Sequence, residues 1–116
     1  MSKRSDLAKV ELILKYISDI QNIIERHGSI EKALDDYEGE YAIMMCLAQI
    51  GEAVNKISER EILENIPVSK ISGMRNRIIH GYEDIDKTII TEVLTVHIPD
   101  LKEKMKSYFK SFNDLS

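Results

Sequence analysis

Cysteine, proline and strand-like alternation are all scarce in this chain, and each scarcity excludes something. A single cysteine, Cys46, leaves no intrachain disulfide and no cysteine metal cluster. It lies in the apolar run Ala42–Ala48, where it reads as a small buried hydrophobe. No apolar run approaches the length of a membrane span, and none follows the opening Met1-Ser2-Lys3-Arg4-Ser5-Asp6 as a signal peptide requires. The expected location is therefore the cytoplasm, with no membrane partner. No segment alternates like a strand or carries an Asn-Gly hairpin, and no glycine-rich loop is present to cradle a nucleotide's phosphates. Net charge is −4 with a pI near 5.4, which argues against duplex binding by a whole-surface positive field. A local basic patch is still allowed: Lys70, Arg75, Arg77 and Lys87 lie close in sequence, while Glu31, Asp35, Asp36, Glu38 and Glu40 gather the acid elsewhere.

What is abundant is helical periodicity. Leu7, Val10, Ile13, Leu14, Ile17, Ile20 and Ile24 recur at three- and four-residue spacing, predicting an amphipathic helix over residues 5–26. Ser5 is expected to cap it, Asp6 to favour its positive end, and Gly28 to end it in the left-handed conformation. Ser29 caps a short second helix reaching Tyr37. A third, over 38–57, is apolar nearly all round from Tyr41 to Ile50, with Ala42, Ala48, Gly51 and Ala53 small enough to admit a neighbouring backbone. Gln49 and Glu52 interrupt its apolar surface, and Glu52 is expected to pair with an arginine. Ile66-Pro67 forces a break by Asn65. A helix from about Ser69 to Gly81 should turn Ile71, Met74, Ile78 and Ile79 inward. Asp84 or Asp86 caps a further helix to about Ile98, and Pro99 marks a break or a first turn before the stripe Leu101, Met105, Tyr108, Phe109 and Phe112. The sum is an all-α antiparallel bundle of four long helices plus a short one, one domain over 1–116. It carries more apolar surface than so small a bundle buries alone, so a homodimer is expected, although a heteromeric partner would meet the same need.

The densest chemistry is in Gly73-Met74-Arg75-Asn76-Arg77-Ile78-Ile79-His80-Gly81-Tyr82. At about 100° per residue, Asn76 and His80 share a helix face and Arg77 flanks it, whereas Arg75 stands roughly 140° from His80. One chain does not align this set, so a second helix or a symmetry-related copy is needed to complete a site. An imidazole with guanidiniums suits reactions at phosphate: histidine moves protons near neutrality, and arginine clamps phosphate oxygens and stabilises added charge. On RNA, a base acting on the ribose 2′-hydroxyl would turn that oxygen on the adjacent phosphorus and leave a cyclic phosphate without a metal. His80 has no histidine three or four residues away and His97 stands on another helix, so neither metal nor cofactor is expected. The same residues also fit plain structural roles, with His80 satisfying the backbone, Arg75 pairing with Glu52 or Asp84, and Tyr82 covering a helix end.

Arg75, His80 and Tyr82, spaced as arginine, four residues, histidine, one residue, tyrosine, resemble the signature of HepT-like toxins of the HEPN superfamily. The resemblance extends to the first amphipathic helix, Ile50-Gly51-Glu52-Ala53, Gly73-Met74-Arg75-Asn76 and Ile98-Pro99-Asp100-Leu101. Val68 departs from it, since many such proteins carry tryptophan there. The resemblance implies a HEPN-like bundle and a homodimeric ribonuclease with its cleft at the dimer interface. Arg75 and His80 would be the catalytic pair, with Asn76 supporting. It also implies a toxin–antitoxin pair in which an MntA-like nucleotidyltransferase antitoxin transfers AMP to Tyr82. Bulk and negative charge at that position would then block RNA phosphate. The contrasting expectation is a non-catalytic helical partner of the nucleotidyltransferase, which the acidic net charge favours; RNA turnover by clean protein discriminates the two.

Overall fold

The computed structural model describes residues 3–115, and its regular structure there is helical throughout. Helix α1 (Lys3–His27) is followed by the short α2 (Ile30–Asp35) and by α3 (Tyr37–Lys56). A single 3₁₀ turn (Arg60–Leu63) leads to α4 (Val68–Gly81). After a second 3₁₀ turn (Tyr82–Asp84), α5 (Lys87–Glu92), a π-helical segment (Val93–His97) and α6 (Ile98–Leu115) run on without a break. Counting that last run as one, the architecture is the expected four long helices and a short one.

The periodic stripes become one core. Val10, Ile13, Ile17 and Ile20 of α1 meet Ile43, Leu47, Ile50 and Val54 of α3, and Ile90, Leu101 and Met105 close the far side. Nearly all of these are completely buried, so trimming any of them removes a transfer term and leaves a cavity, about 2–5 kcal/mol for a leucine or isoleucine cut to alanine.

The turns behave largely as their residues dictate. Gly28 takes φ +98° after α1, and the Ser29 hydroxyl accepts from Lys32 N as the N-cap of α2. Asp36 caps α3 through Gly39 N, and Asp86 caps α5 through Thr88 N. Asn65, at φ +64°, makes the break before Pro67, and the Lys104 ammonium donates to its carbonyl.

Two local expectations are corrected, at Ser5 and Ile79. Ser5 does not cap α1, because the helix already begins at Lys3; its hydroxyl accepts from Lys9 Nζ one turn on. Asp6 lies in the first turn of α1 as expected, and it is also 1% exposed and accepts from Ser58 N, Ser58 Oγ and Glu59 N at 2.9–3.0 Å. It ties the start of α1 to the chain leaving α3. Ile79 faces outward rather than into the core, at 52% exposure. Pro99 falls in the first turn of α6, one of the two places expected for it. A proline ring clashes with the carbonyl four residues earlier in an α-helix, and the widened π turn just ahead of it lets the helix pass.

Candidate functional site

Helix α4 is positioned by its contact with α3. Gly51 makes that contact possible: a Cβ there would lie 2.7 Å from Arg75 Cβ and 3.0 Å from the Ile71 carbonyl oxygen. The close approach sets Arg75 beside the residue after Gly51. Arg75 Nε lies 2.6 Å from Glu52 Oε2, close enough for a strong ion pair, although its N–H does not point along the line to the oxygen. Arg75 Nη1 donates to Asn76 Oδ1 at 2.9 Å, and Lys56 Nζ stands 3.1 Å from Glu52 Oε1. The hydrogen bond from Lys56 draws the Glu52 carboxyl below its usual range; partial burial opposes this and the Arg75 charge adds to it. The arginine partner expected for Glu52 is thus Arg75.

Beside this pair, Tyr41, Met44, Met45, Ala48, Ile78 and Ile79 line an open, mainly apolar groove of about 770 Å³. Met45 and Ile79 are more than half exposed on it. Such a concentration of apolar side chains next to a charged pair marks an interaction surface.

His80 is on a different side. It is exposed, and it makes no hydrogen bond or ion pair with the described residues. The structure therefore brings Arg75, Asn76 and Glu52 together and leaves His80 apart from them. Arg77 is also exposed, and it lines a second groove, of about 380 Å³, with Ser69, Lys70, Gly73 and His97. Tyr82 begins the 3₁₀ turn after α4, but its side chain lies outside the described residues. Of the basic neighbourhood read from the sequence, Lys87 is drawn off to Asp35 at 3.1 Å.

Sequence reasoning missed the second groove, because one of its walls is the π segment. A five-residue turn brings residues five apart onto one face, so Glu92 Oε1 comes to 3.7 Å from His97 Nε2. The signal that could have found it is Pro99 inside a continuing apolar stripe. Among the described residues no three His, Cys, Asp or Glu side chains are grouped to hold a metal ion, and no helix is long and apolar enough to cross a membrane.

Comparison with known proteins gives this geometry a context. Residues 13–108 match the family described as Ribonuclease HepT-like. The chain is 34% identical to "Putative RNase MJ1216" of Methanocaldococcus jannaschii over 95% of its own length and 92% of the relative's. It is 33% identical to "Putative RNase MJ0125" of the same organism, over 98% and 99%. It is 29% identical to "Probable ribonuclease HepT" of Thermococcus cleftensis, over 82% and 94%. No solved structure matches. With a match that begins in α1 and ends in α6, over a HEPN-like all-helical bundle, the chain belongs to the HepT-like ribonuclease family.

Proposed function

We propose that the protein is a metal-independent RNA endonuclease, the toxin of a toxin–antitoxin pair, whose active cleft forms where two copies of α4 meet. The observation that carries this reading is the division of the motif. Arg75 is held at the edge of an uncovered apolar groove, while His80 stands exposed with none of the described residues using its nitrogens. A second copy seated on the groove buries Met45 and Ile79 and sets one protomer's Arg75 within reach of the paired motif.

In such a cleft His80 takes the proton from a ribose 2′-hydroxyl. The 2′-oxygen attacks the adjacent phosphorus, and the bond to the 5′-oxygen breaks as that oxygen gains a proton, the partner's imidazole being placed to give it. The products are a 2′,3′-cyclic phosphate and a 5′-hydroxyl, with no net consumption of protons. Arg75 donates to the non-bridging oxygens as charge builds on them, and Glu52 and Asn76 fix its direction. Arg77 supports on the His80 side.

Tyr82 is assigned as the control point. Its phenol oxygen, attacking the α-phosphorus of ATP on an MntA-like nucleotidyltransferase antitoxin, would displace pyrophosphate and leave AMP on the chain. The added phosphate repels RNA at the end of α4.

The test is cleavage of single-stranded RNA in EDTA by unmodified protein. Cleavage that disappears in His80→Ala, with unchanged circular dichroism, supports the reading; equal cleavage by both proteins refutes it. For the control point, intact mass after co-production with the nucleotidyltransferase should rise by one adenylyl group in the wild type and not in Tyr82→Phe.

A further inference from the structure

Beyond His80 and the support given by Arg77 next to it, the nuclease reading leaves the rest of that side of α4, from Gly73 to Lys70, without a role. His80, Arg77, Gly73 and Lys70 follow one another at spacings of three, four and three residues, which is a single stripe along an α-helix. Arg75 is about 200° from Arg77 and faces α3, so it is not part of this stripe. The ten residue steps from His80 to Lys70 span about 15 Å of helix axis.

The chemistry of the stripe is uniform. Lys70 and Arg77 are exposed, and neither side chain has a hydrogen bond or ion pair with the described residues. Contrast the basic residues around them: Arg75 lies against Glu52, Lys56 against Glu52, and Lys87 against Asp35. Between the two free cations sits Gly73, where a Cβ would meet nothing within 4 Å, so the path from Arg77 to Lys70 is unobstructed. The opposite wall is the end of α5 and the π segment, contributing Ile89, Val93, Glu92 and His97. Among the described residues that line the groove Glu92 is the one carboxylate, and the π turn places it 3.7 Å from the mostly buried His97 ring, with no ion pair to Lys70 or Arg77.

We propose that this groove is a track for the RNA strand: the sugar-phosphate backbone leaving the scissile position at His80 runs along α4, with Arg77 and then Lys70 each holding a phosphate. The length of the stripe selects a strand over a single nucleotide, because two cations and an imidazole spread over about 15 Å cannot converge on one phosphate. Ile89, Val93 and Met74 give the track an apolar floor against which sugars and bases lie. This inference rests on the assignment of His80 to RNA, and it gives that site a direction: Arg75 acts at the scissile phosphate, and the strand beyond it is held on the α5 side of α4.

The experiment measures binding apart from cleavage. A fluorescein-labelled single-stranded RNA of about 12 nucleotides is titrated with His80→Ala protein, then with the same protein carrying Lys70→Gln and Arg77→Gln, at several salt concentrations. Each lost phosphate contact on a single strand lowers the slope of log K against log salt by about 0.7, so the double change should lower it by about 1.4. It should also weaken binding by about tenfold or more. Lys15→Ala, removing one charge from α1, is the control and should leave the slope where it was. Gly73→Glu, which puts a carboxylate into open space, should weaken binding as the double change does. In protein retaining His80, Lys70→Gln with Arg77→Gln should raise KM more than it lowers kcat. Wild-type cleavage together with an unchanged slope and affinity in the double variant overturns the track and leaves the nuclease reading standing. Loss of cleavage by wild-type protein would instead strike the nuclease reading, while the binding titration still decides the track.

Discussion

Arg75 and Arg77 are two residues apart on one helix and have opposite surroundings. The face of α4 that carries Arg75 packs on α3 and has its polar groups engaged: Arg75 with Glu52 and Asn76, Glu52 with Lys56, and the Ser72 hydroxyl with Asn55 Oδ1 at 2.6 Å. The face that carries Arg77, with Lys70 and His80, has no such partners among the described residues. A helix needs fixed polar contacts where it meets the rest of the fold and available ones where it meets a ligand. The difference separates an arginine held in direction, suited to a developing charge, from one free to follow a flexible backbone.

The largest effect expected is on the chemistry. His80→Ala should lower kcat by about 10²–10⁴-fold, the usual contribution of a general acid–base group, with no loss of thermal stability because the side chain is exposed. Arg75→Ala should lower kcat by about 10²–10³-fold. Arg75→Lys should fail to restore it, since an ammonium cannot engage Glu52 and phosphate in the same fork. Arg77→Ala should act mainly on KM, and equal kcat losses at the two arginines would erase the distinction between the faces.

Next is a polar group wholly given over to the fold. Asp6→Ala strands two part-buried backbone N–H groups, of Ser58 and Glu59, and the Ser58 hydroxyl. It should destabilise the protein by about 2–4 kcal/mol in urea unfolding, without moving the RNA salt slope. Burial pushes the Asp6 carboxyl up, but the hydrogen bonds from Ser58 and Glu59, with help from Lys9, outweigh it and hold the group below its ordinary value. A depressed carboxyl contributes stability that is present above its unfolded pKa, near 3.9, and is lost as pH falls through the folded value. The acid limb of the stability profile should therefore flatten in Asp6→Asn.

A smaller effect, of opposite sign in pH, comes from His27. Its Nδ1 faces the Ile23 carbonyl at 2.7 Å and its Nε2 faces Asp36 Oδ2 at 3.0 Å, so both ring nitrogens are satisfied as donors only in the charged ring. The Ile23 carbonyl first and Asp36 second raise its pKa. Stability from this contact is complete below the unfolded value near 6.5 and lost as pH rises through the folded one. His27→Gln should remove that slope, as seen by thermal melts between pH 5 and 8. The smallest change is Gly73→Ala, which should add about 0.5–1 kcal/mol by stiffening a half-buried helical position with room for the methyl.

The sequence carried the bundle well because its stripes are long and regular: Val10 to Ile20 and Ile43 to Val54 are buried where periodicity put them. It carried the caps at Ser29, Asp36 and Asp86 less evenly. Ser29 was read outright, Asp86 only as an alternative to Asp84, and Asp36 not at all, because acidic residues crowd those two helix starts. The tie from Asp6 to Ser58 and Glu59 was not legible, since those partners are 52 and 53 residues away, a distance local patterning cannot bridge. Ile79 was misread because two adjacent isoleucines cannot both face one core, and which one turns in is decided by the α3 contact. For the site, the pairing of Glu52 with an arginine was legible from a carboxylate in an apolar run. The partnerless state of Lys70 and Arg77 was not, because it depends on which acids the tertiary fold assigns to other cations.

The central claim is that His80 and Arg75 cleave RNA by turning the 2′-oxygen on phosphorus. The most direct measurement is the identity of the new ends when wild-type protein cuts single-stranded RNA in EDTA, read by mass spectrometry. Attack by the 2′-oxygen leaves 2′,3′-cyclic phosphate and 5′-hydroxyl ends that vanish in His80→Ala; 3′-hydroxyl and 5′-phosphate ends, or the same products from His80→Ala, would refute this chemistry.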